Sequence, residues 1–146
     1  MDVIVVTPIC PGTILAPYSL GYPRLISEMS PIAAARERSI NTNRARLQRM
    51  FVSKYFCDYE LVLLLDSDVI VTKETVDKLI AAWKPGLVPC ANTKGCETDH
   101  VVASCALIGR KDYSEIDYLK DPDICQCKKL QNSFYVDGAV GYEVRR

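Results

Sequence analysis

Apolar and polar positions fall in blocks along this chain. The most uniform block, Leu61-Val62-Leu63-Leu64-Leu65, runs into Asp66-Ser67-Asp68 before Val69-Ile70-Val71 resumes. An apolar run without period-two alternation predicts a strand buried on both faces, as in the parallel centre of an α/β sheet. Such a strand delivers its C-terminal residues to the sheet edge where ligands bind. Unpaired carboxylates are disfavoured in a core, so Asp66 and Asp68 belong at that edge. Residues two apart on a strand share a side, which lets both acids face one divalent cation. The plainer reading is a strand end with two solvated acids, Asp68 beginning a turn.

The remaining blocks frame that strand. Residues 3–6 are a β-branched run ending at Thr7-Pro8, a first strand. Residues 9–31 carry several prolines and glycines and predict an irregular segment over the sheet edge, with a short helix over residues 24–29. A helix follows from Ser39 or Asn41 to about Phe56, its apolar stripe Ile40, Leu47, Phe51 and Tyr55 supplemented by Met50. Arg36, Arg38, Arg44, Arg46 and Arg49 crowd its other faces. Arginines so placed are ordinarily a solvated surface, but one near a helix start suits bidentate contact with a diphosphate. After the acids, Thr72 is a natural N-cap for a helix with Val76, Leu79, Ile80 and Trp83 on one face, ended by Pro85-Gly86. Strands are expected over residues 87–91 and 101–108, separated by a polar loop, then a helix over residues 113–119 broken at Asp121-Pro122. Residues 134–136 and 139–144 read as a final strand or hairpin bending at Asp137-Gly138.

Composition narrows the field. The 146 residues suit one domain, residues 1–146, and the formal net charge of zero argues against bulk attraction to nucleic acid or anionic membrane. No apolar run approaches the roughly 20 residues needed to cross a bilayer. The first residues read as a strand rather than a basic leader, so a cytoplasmic protein is expected. Seven cysteines and one histidine are present. Cys10 and Cys57 read as small core residues, and Cys125-Gln126-Cys127 is too close for an unstrained mutual disulfide. Cys90-x5-Cys96-x3-His100, with Cys105 following, holds metal-type ligands, but the spacing is wider than zinc pairs usually show. Reduced, scattered thiols are the expectation.

The order strand, loop, helix, apolar strand ending in Asp-Ser-Asp, then helix resembles the nucleotide-binding half of a GT-A glycosyltransferase, closest to the family 2 type. Four features carry the likeness: Thr7-Pro8 after the first strand, Asn41-Thr42-Asn43-Arg44 on the next helix, the leader Asp58-Tyr59-Glu60-Leu61, and Leu65-Asp66-Ser67-Asp68-Val69. It extends over about residues 3–83. The resemblance implies a Rossmann-like three-layer α/β sandwich with a mostly parallel central sheet. It implies a nucleoside-diphosphate sugar of UDP or GDP type as donor, an acceptor of unspecified kind, and Mn²⁺ or Mg²⁺ as cofactor. Asp66 would then lie near the ribose and the metal, Asp68 would bind the metal directly, Thr7 and Pro8 would border the base, and Arg44 would lie near the base or diphosphate. A late carboxylate, by position Asp137, would be the base, although Asp-Gly is also a standard turn pair. His100 is early for the extra metal ligand some relatives carry. The chain is short for that family, which makes donor binding a firmer expectation than turnover, and a homo-oligomer would be one way to complete a site.

Two rivals remain at this level. The same stretch resembles the first motif of haloacid-dehalogenase-like phosphatases, with Asp66 as nucleophile, Asp68 as general acid/base and Lys111 as the downstream lysine. That family opens on this strand, whereas a strand and a long helix precede it here, and Asp121-Pro122-Asp123 makes a poor later acidic pair. The other rival is a binding module that keeps a donor fold without catalysis.

Overall fold

A computed structural model describes residues 2–37, 40–94, 102–122 and 124–144. Its seven strands form one sheet: β1 (Val3–Ile9), β2 (Arg24–Glu28), β3 (Leu61–Leu65), β4 (Val69–Ile70), β5 (Val88–Lys94), β6 (Cys105–Gly109) and β7 (Ser133–Glu143), in the order β2-β1-β3-β6-β5-β7-β4. The helices are α1 (Pro31–Glu37), α2 (Ile40–Lys54), α3 (Lys73–Ala82), α4 (Arg110–Glu115) and α5 (Gln126–Lys129). The β2-β1-β3 unit is parallel, as is β5-β7. By contrast β6 lies antiparallel to both its neighbours and β4 antiparallel to β7. The expected parallel arrangement therefore holds for β1 and β3, joined in parallel by β2, which was not expected as a strand, while the sheet as a whole is mixed.

Every residue of β3 is buried, as a run apolar on both faces requires. Alternation sorts its side chains. Leu61, Leu63 and Leu65 join Val3, Val5, Val76 and Leu79 beneath α3, whereas Val62 and Leu64 join Ile4, Val6, Phe51 and Tyr113 beneath α2 and α4. Burying these large side chains from water is the main drive toward this layering.

Several elements depart from the sequence pattern. Residues 24–28 form strand β2 rather than a helix: Leu25 and Ile26 lie level with Val6 and Thr7 on β1, and tertiary pairing overrides a weak local preference. The buried stripe of α2 is Asn41, Asn43, Ala45, Leu47 and Phe51, while Ile40 and Met50 are exposed. The asparagines are inside because they answer loop carbonyls. Asn43 Nδ2 donates to Ser27 O at 2.9 Å and Ile9 O at 3.3 Å, and Asn41 Nδ2 donates to Pro122 O and Ile124 O. The last segment is no hairpin: β7 runs straight through, parallel to β5, with a register shift opposite Cys90–Asn92. Gly138, at φ +76°, supplies the backbone conformation that the irregularity needs. Cys57 is exposed and Cys10 half-buried, so neither is a core residue. Thr72 caps α3 as expected, accepting from Thr75 N at 3.2 Å. No helix among the described residues is long and apolar enough to cross a membrane.

Replacing Asn43 by alanine removes the side-chain donor that the Ser27 and Ile9 carbonyls share, although Ile9 O keeps Met29 N, and should lower the unfolding free energy by about 1–3 kcal/mol. The exposed cap variant Thr72→Ala should cost about 1 kcal/mol. Urea denaturation of both variants checks the order, and an Asn43→Ala loss no larger than the cap loss would show that the bond to Ser27 is dispensable.

Candidate functional site

Strand β3 stops at Leu65, and Asp66, Ser67 and Asp68 occupy a turn closed by Val69 N donating to Asp66 O at 3.3 Å. The acids thus leave the strand, and their shared location comes from the turn rather than from strand alternation. Four neighbours fix that turn. Asp66 N donates to Ser104 O (2.9 Å) ahead of β6, and Ala16 N in the proline-rich segment donates to Ser67 O (2.7 Å). Val144 N, just past β7, donates to Asp68 O (2.7 Å), and Val69 lies level with Glu143 in the β4-β7 ladder. The Ser104 hydroxyl is held by Thr93. The segment after β1 does lie over this edge, with Ala16 and Leu20 buried.

The C-terminal ends of β1 and β3 and the first turns of α2 enclose a narrow crevice. Arg44, Asp66, Tyr118 and Gln126 are its polar lining, beside Pro8, Val6 and Leu64. Tyr118 donates its hydroxyl to Gln126 Oε1 at 2.8 Å, and Gln126 Nε2 reaches Ala103 O at 3.2 Å. Arg44 Nη1 donates to Asn41 Oδ1 at 3.1 Å, while its Nε is buried without a hydrogen-bond partner. A guanidinium so held keeps donors for an incoming anion.

The electrostatics centre on Asp66. Burial, with the charges of Asp68 and Glu143, pushes its carboxyl up to about 7 against the pull of Arg44. Burial dominates that shift, so Arg44 does not compensate the charge fully. A divalent cation would. Among the described residues, no three His, Cys, Asp or Glu side chains converge into a closed metal cage. Two carboxylates in one turn nevertheless fit Mg²⁺ or Mn²⁺, which commonly take one or two protein carboxylates and complete their shell with phosphate and water.

The structure brings Pro8, Arg44 and Asp66 together, with Asp68 on the same turn. Thr7 lies elsewhere: it is fully buried on the opposite face of β1, where its Oγ1 accepts from Arg24 Nε at 3.1 Å. That guanidinium stacks over Tyr18, 4.6 Å from the ring centre. Asp137 is exposed at the β7 irregularity, beside Gly138, whose carbonyl accepts from Lys78 on α3. It is not among the charges acting on Asp66; Glu143 is. Lys111 follows Gly109, which lies level with Leu61, so it sits at the edge of the sheet opposite the acids. Cys96, His100 and Asp123 lie outside the described residues. Of the other proposed metal-type ligands, Cys90 and Cys105 are fully buried, and burial pushes both thiols far up, Cys90 to about 12. Tyr118, Gln126 and Glu143 were missed in the sequence. Glu143 becomes findable only once β7 is known to end at the edge where β3 ends, and neither Tyr118 nor Gln126 carries a local signal.

A larger groove, about 560 Å³, lies at the opposite edge over Val88, Ile108 and Leu130, rimmed by both acids and lysines. Size favours it; converging chemistry favours the Asp66 crevice.

No protein-family model matches this sequence, and no curated protein matches it significantly. Solved structures do share the fold. The crystal structure of A197 from STIV aligns with TM-score 0.60 and 11% identity, over 100% of this chain and 87% of that one. A glycosyltransferase involved in the glycosylation of the major capsid of PBCV-1 aligns with TM-score 0.55 and 12% identity, over 98% of this chain and 92% of that one. The class defined at these identities is one of fold: a mixed α/β domain of the shape found in a solved glycosyltransferase.

The raised Asp66 carboxyl has a pH consequence. Between its ordinary value of 3.8 and about 7 the folded protein keeps a proton that the unfolded chain has released. Stability should therefore fall as pH rises through that window and level off above it. The difference from Asp66→Asn, which does not titrate, should grow by up to a few kcal/mol between pH 4 and 7.5. Urea titrations of both proteins across that range measure it, and parallel profiles would mean that Asp66 is as well solvated as in the open chain.

Proposed function

We propose that this chain binds a nucleoside-diphosphate sugar at the C-terminal edge of β1 and β3 and transfers its sugar to an acceptor, with Mn²⁺ or Mg²⁺ held by Asp66 and Asp68. The observation that carries this reading is the under-compensated Asp66 carboxyl on the Asp-Ser-Asp turn, facing a half-free Arg44 on a fold shared with a solved glycosyltransferase. A cation there would supply positive charge to the diphosphate oxygens on which negative charge grows as the glycosidic bond breaks.

The protein's own groups divide the remaining work. Arg44 offers donors to the diphosphate, and Pro8 forms an apolar wall for the base. Thr7 acts at one remove, since its hydroxyl is engaged by Arg24. The segment carrying Ala16 is tied to Ser67 and covers the turn, which helps exclude water from it. An inverting transfer also needs a carboxylate to take the acceptor's proton. Of the two on β7, Glu143 is favoured over Asp137 because its charge reaches Asp66. The phosphatase alternative loses its lysine, since Lys111 lies at the far edge.

A thermal-shift panel of UDP, GDP and their sugars, with and without Mn²⁺, tests donor binding. The expected result is a metal-dependent rise for at least one diphosphate, lost in Asp68→Ala. An equal rise in that variant removes Asp68 from the site. With the donor identified, Glu143→Gln should reduce kcat by about a hundredfold or more, leaving donor affinity within a few-fold, and Asp137→Asn should stay near wild type. The reverse pattern would return the base role to Asp137.

A further inference from the structure

Cys125 and Cys127 flank Gln126 at the start of α5, and their Sγ atoms are 2.7 Å apart. Cys125 is exposed and Cys127 half-buried. Gln126 points the other way. It is 7% exposed, and its amide joins Ala103 O to the hydroxyl of Tyr118, which is itself 2% exposed. The same side chain lines the crevice that holds Arg44 and Asp66. Two thiols in mutual contact at the surface thus bracket a residue that ties this segment to the crevice wall.

We propose that Cys125 and Cys127 form a reversible dithiol–disulfide site, oxidised by low-molecular-weight disulfides of the glutathione class, and that closing it withdraws Gln126 from the crevice. A ring spanning a single intervening residue constrains the backbone of Gln126 directly. The strain makes the disulfide easily reduced, as suits a reversible site rather than a structural bridge. Burial and the neighbouring sulfur push the Cys127 thiol up to about 11, so Cys127 keeps its proton and the exposed Cys125 is the attacking sulfur.

The chemistry balances with that one oxidant. Cys125 loses its proton to solvent, and its thiolate attacks the external disulfide, forming a mixed disulfide and releasing one thiolate. That thiolate takes the Cys127 proton. The Cys127 sulfur then displaces the second external thiolate and the Cys125–Cys127 bond closes. Two electrons pass from the cysteine pair to the external disulfide, which leaves as two thiols.

The effect on donor binding rests on the function proposed above; the disulfide itself does not. The full chain is incubated with oxidised and then reduced glutathione, and followed by intact mass, peptide mapping and amide hydrogen exchange. Wild type should lose the two thiol hydrogens, with the link mapped to Cys125–Cys127, and recover them on reduction. Cys127→Ser should stop at the mixed disulfide on Cys125. Oxidised wild type should exchange faster around residues 103–106 and 113–118 and bind Mn²⁺–diphosphate about tenfold more weakly, an effect reproduced by Gln126→Ala in the reduced state. A mixed disulfide that persists in wild type, a link between other cysteines, or a Cys125–Cys127 link with unchanged exchange would each overturn the proposal. If reduced protein binds no diphosphate while the link forms and exchange rises, the donor reading falls and the thiol site stands.

Discussion

The structure turns on a charge problem at the end of an apolar strand. Five consecutive buried residues carry β3 through the centre of the sheet, and the chain then places Asp66 on the half-buried turn that ends it, where partial burial already disfavours its charge. Burying an ionised carboxylate costs several kcal/mol unless something compensates it. Here the nearest compensation is Arg44, opposed by Asp68 and Glu143, and the balance leaves the carboxyl near neutrality in its affinity for a proton. A protein that needed only stability would do better with an apolar residue or a complete ion pair. The unmet demand is for more positive charge.

Much of the surrounding architecture serves to hold that unmet demand in place. The turn is pinned by backbone bonds from β6, from the segment after β1 and from the end of β7, three elements distant in sequence. Arg44 is held by Asn41, and α2 is anchored by Asn43 to the carbonyls of Ile9 and Ser27. Rigid support of this kind lets a small set of polar groups stay under-satisfied without the site collapsing around them.

The sequence made the centre of the fold legible because the signals there are strong and local. The apolar run of β3, the Thr72 cap and the spacing of Val76, Leu79 and Trp83 need no tertiary information. Legibility failed where pairing or polar burial decides. Residues 24–28 lack a clean strand pattern and become β2 only by lying alongside β1. On α2 the apolar Ile40 and Met50 face solvent while Asn41 and Asn43 go inside, because distant carbonyls need donors. Of the candidate site residues, Pro8, Arg44, Asp66 and Asp68 were readable from their positions on the first strand, the next helix and the β3 end. Glu143 was not, since its place beside Val69 depends on β7 running parallel to β5. Tyr118 and Gln126 reach the crevice through one another, a relation that no spacing encodes.

Anomalous diffraction from crystals grown with Mn²⁺ and a nucleoside diphosphate addresses the central claim most directly. A manganese peak is expected within ligand distance of the Asp66–Asp68 turn, with the diphosphate beside it and the Arg44 guanidinium on a phosphate oxygen. Manganese elsewhere, or a diphosphate seated in the groove over Val88 and Leu130, would contradict it.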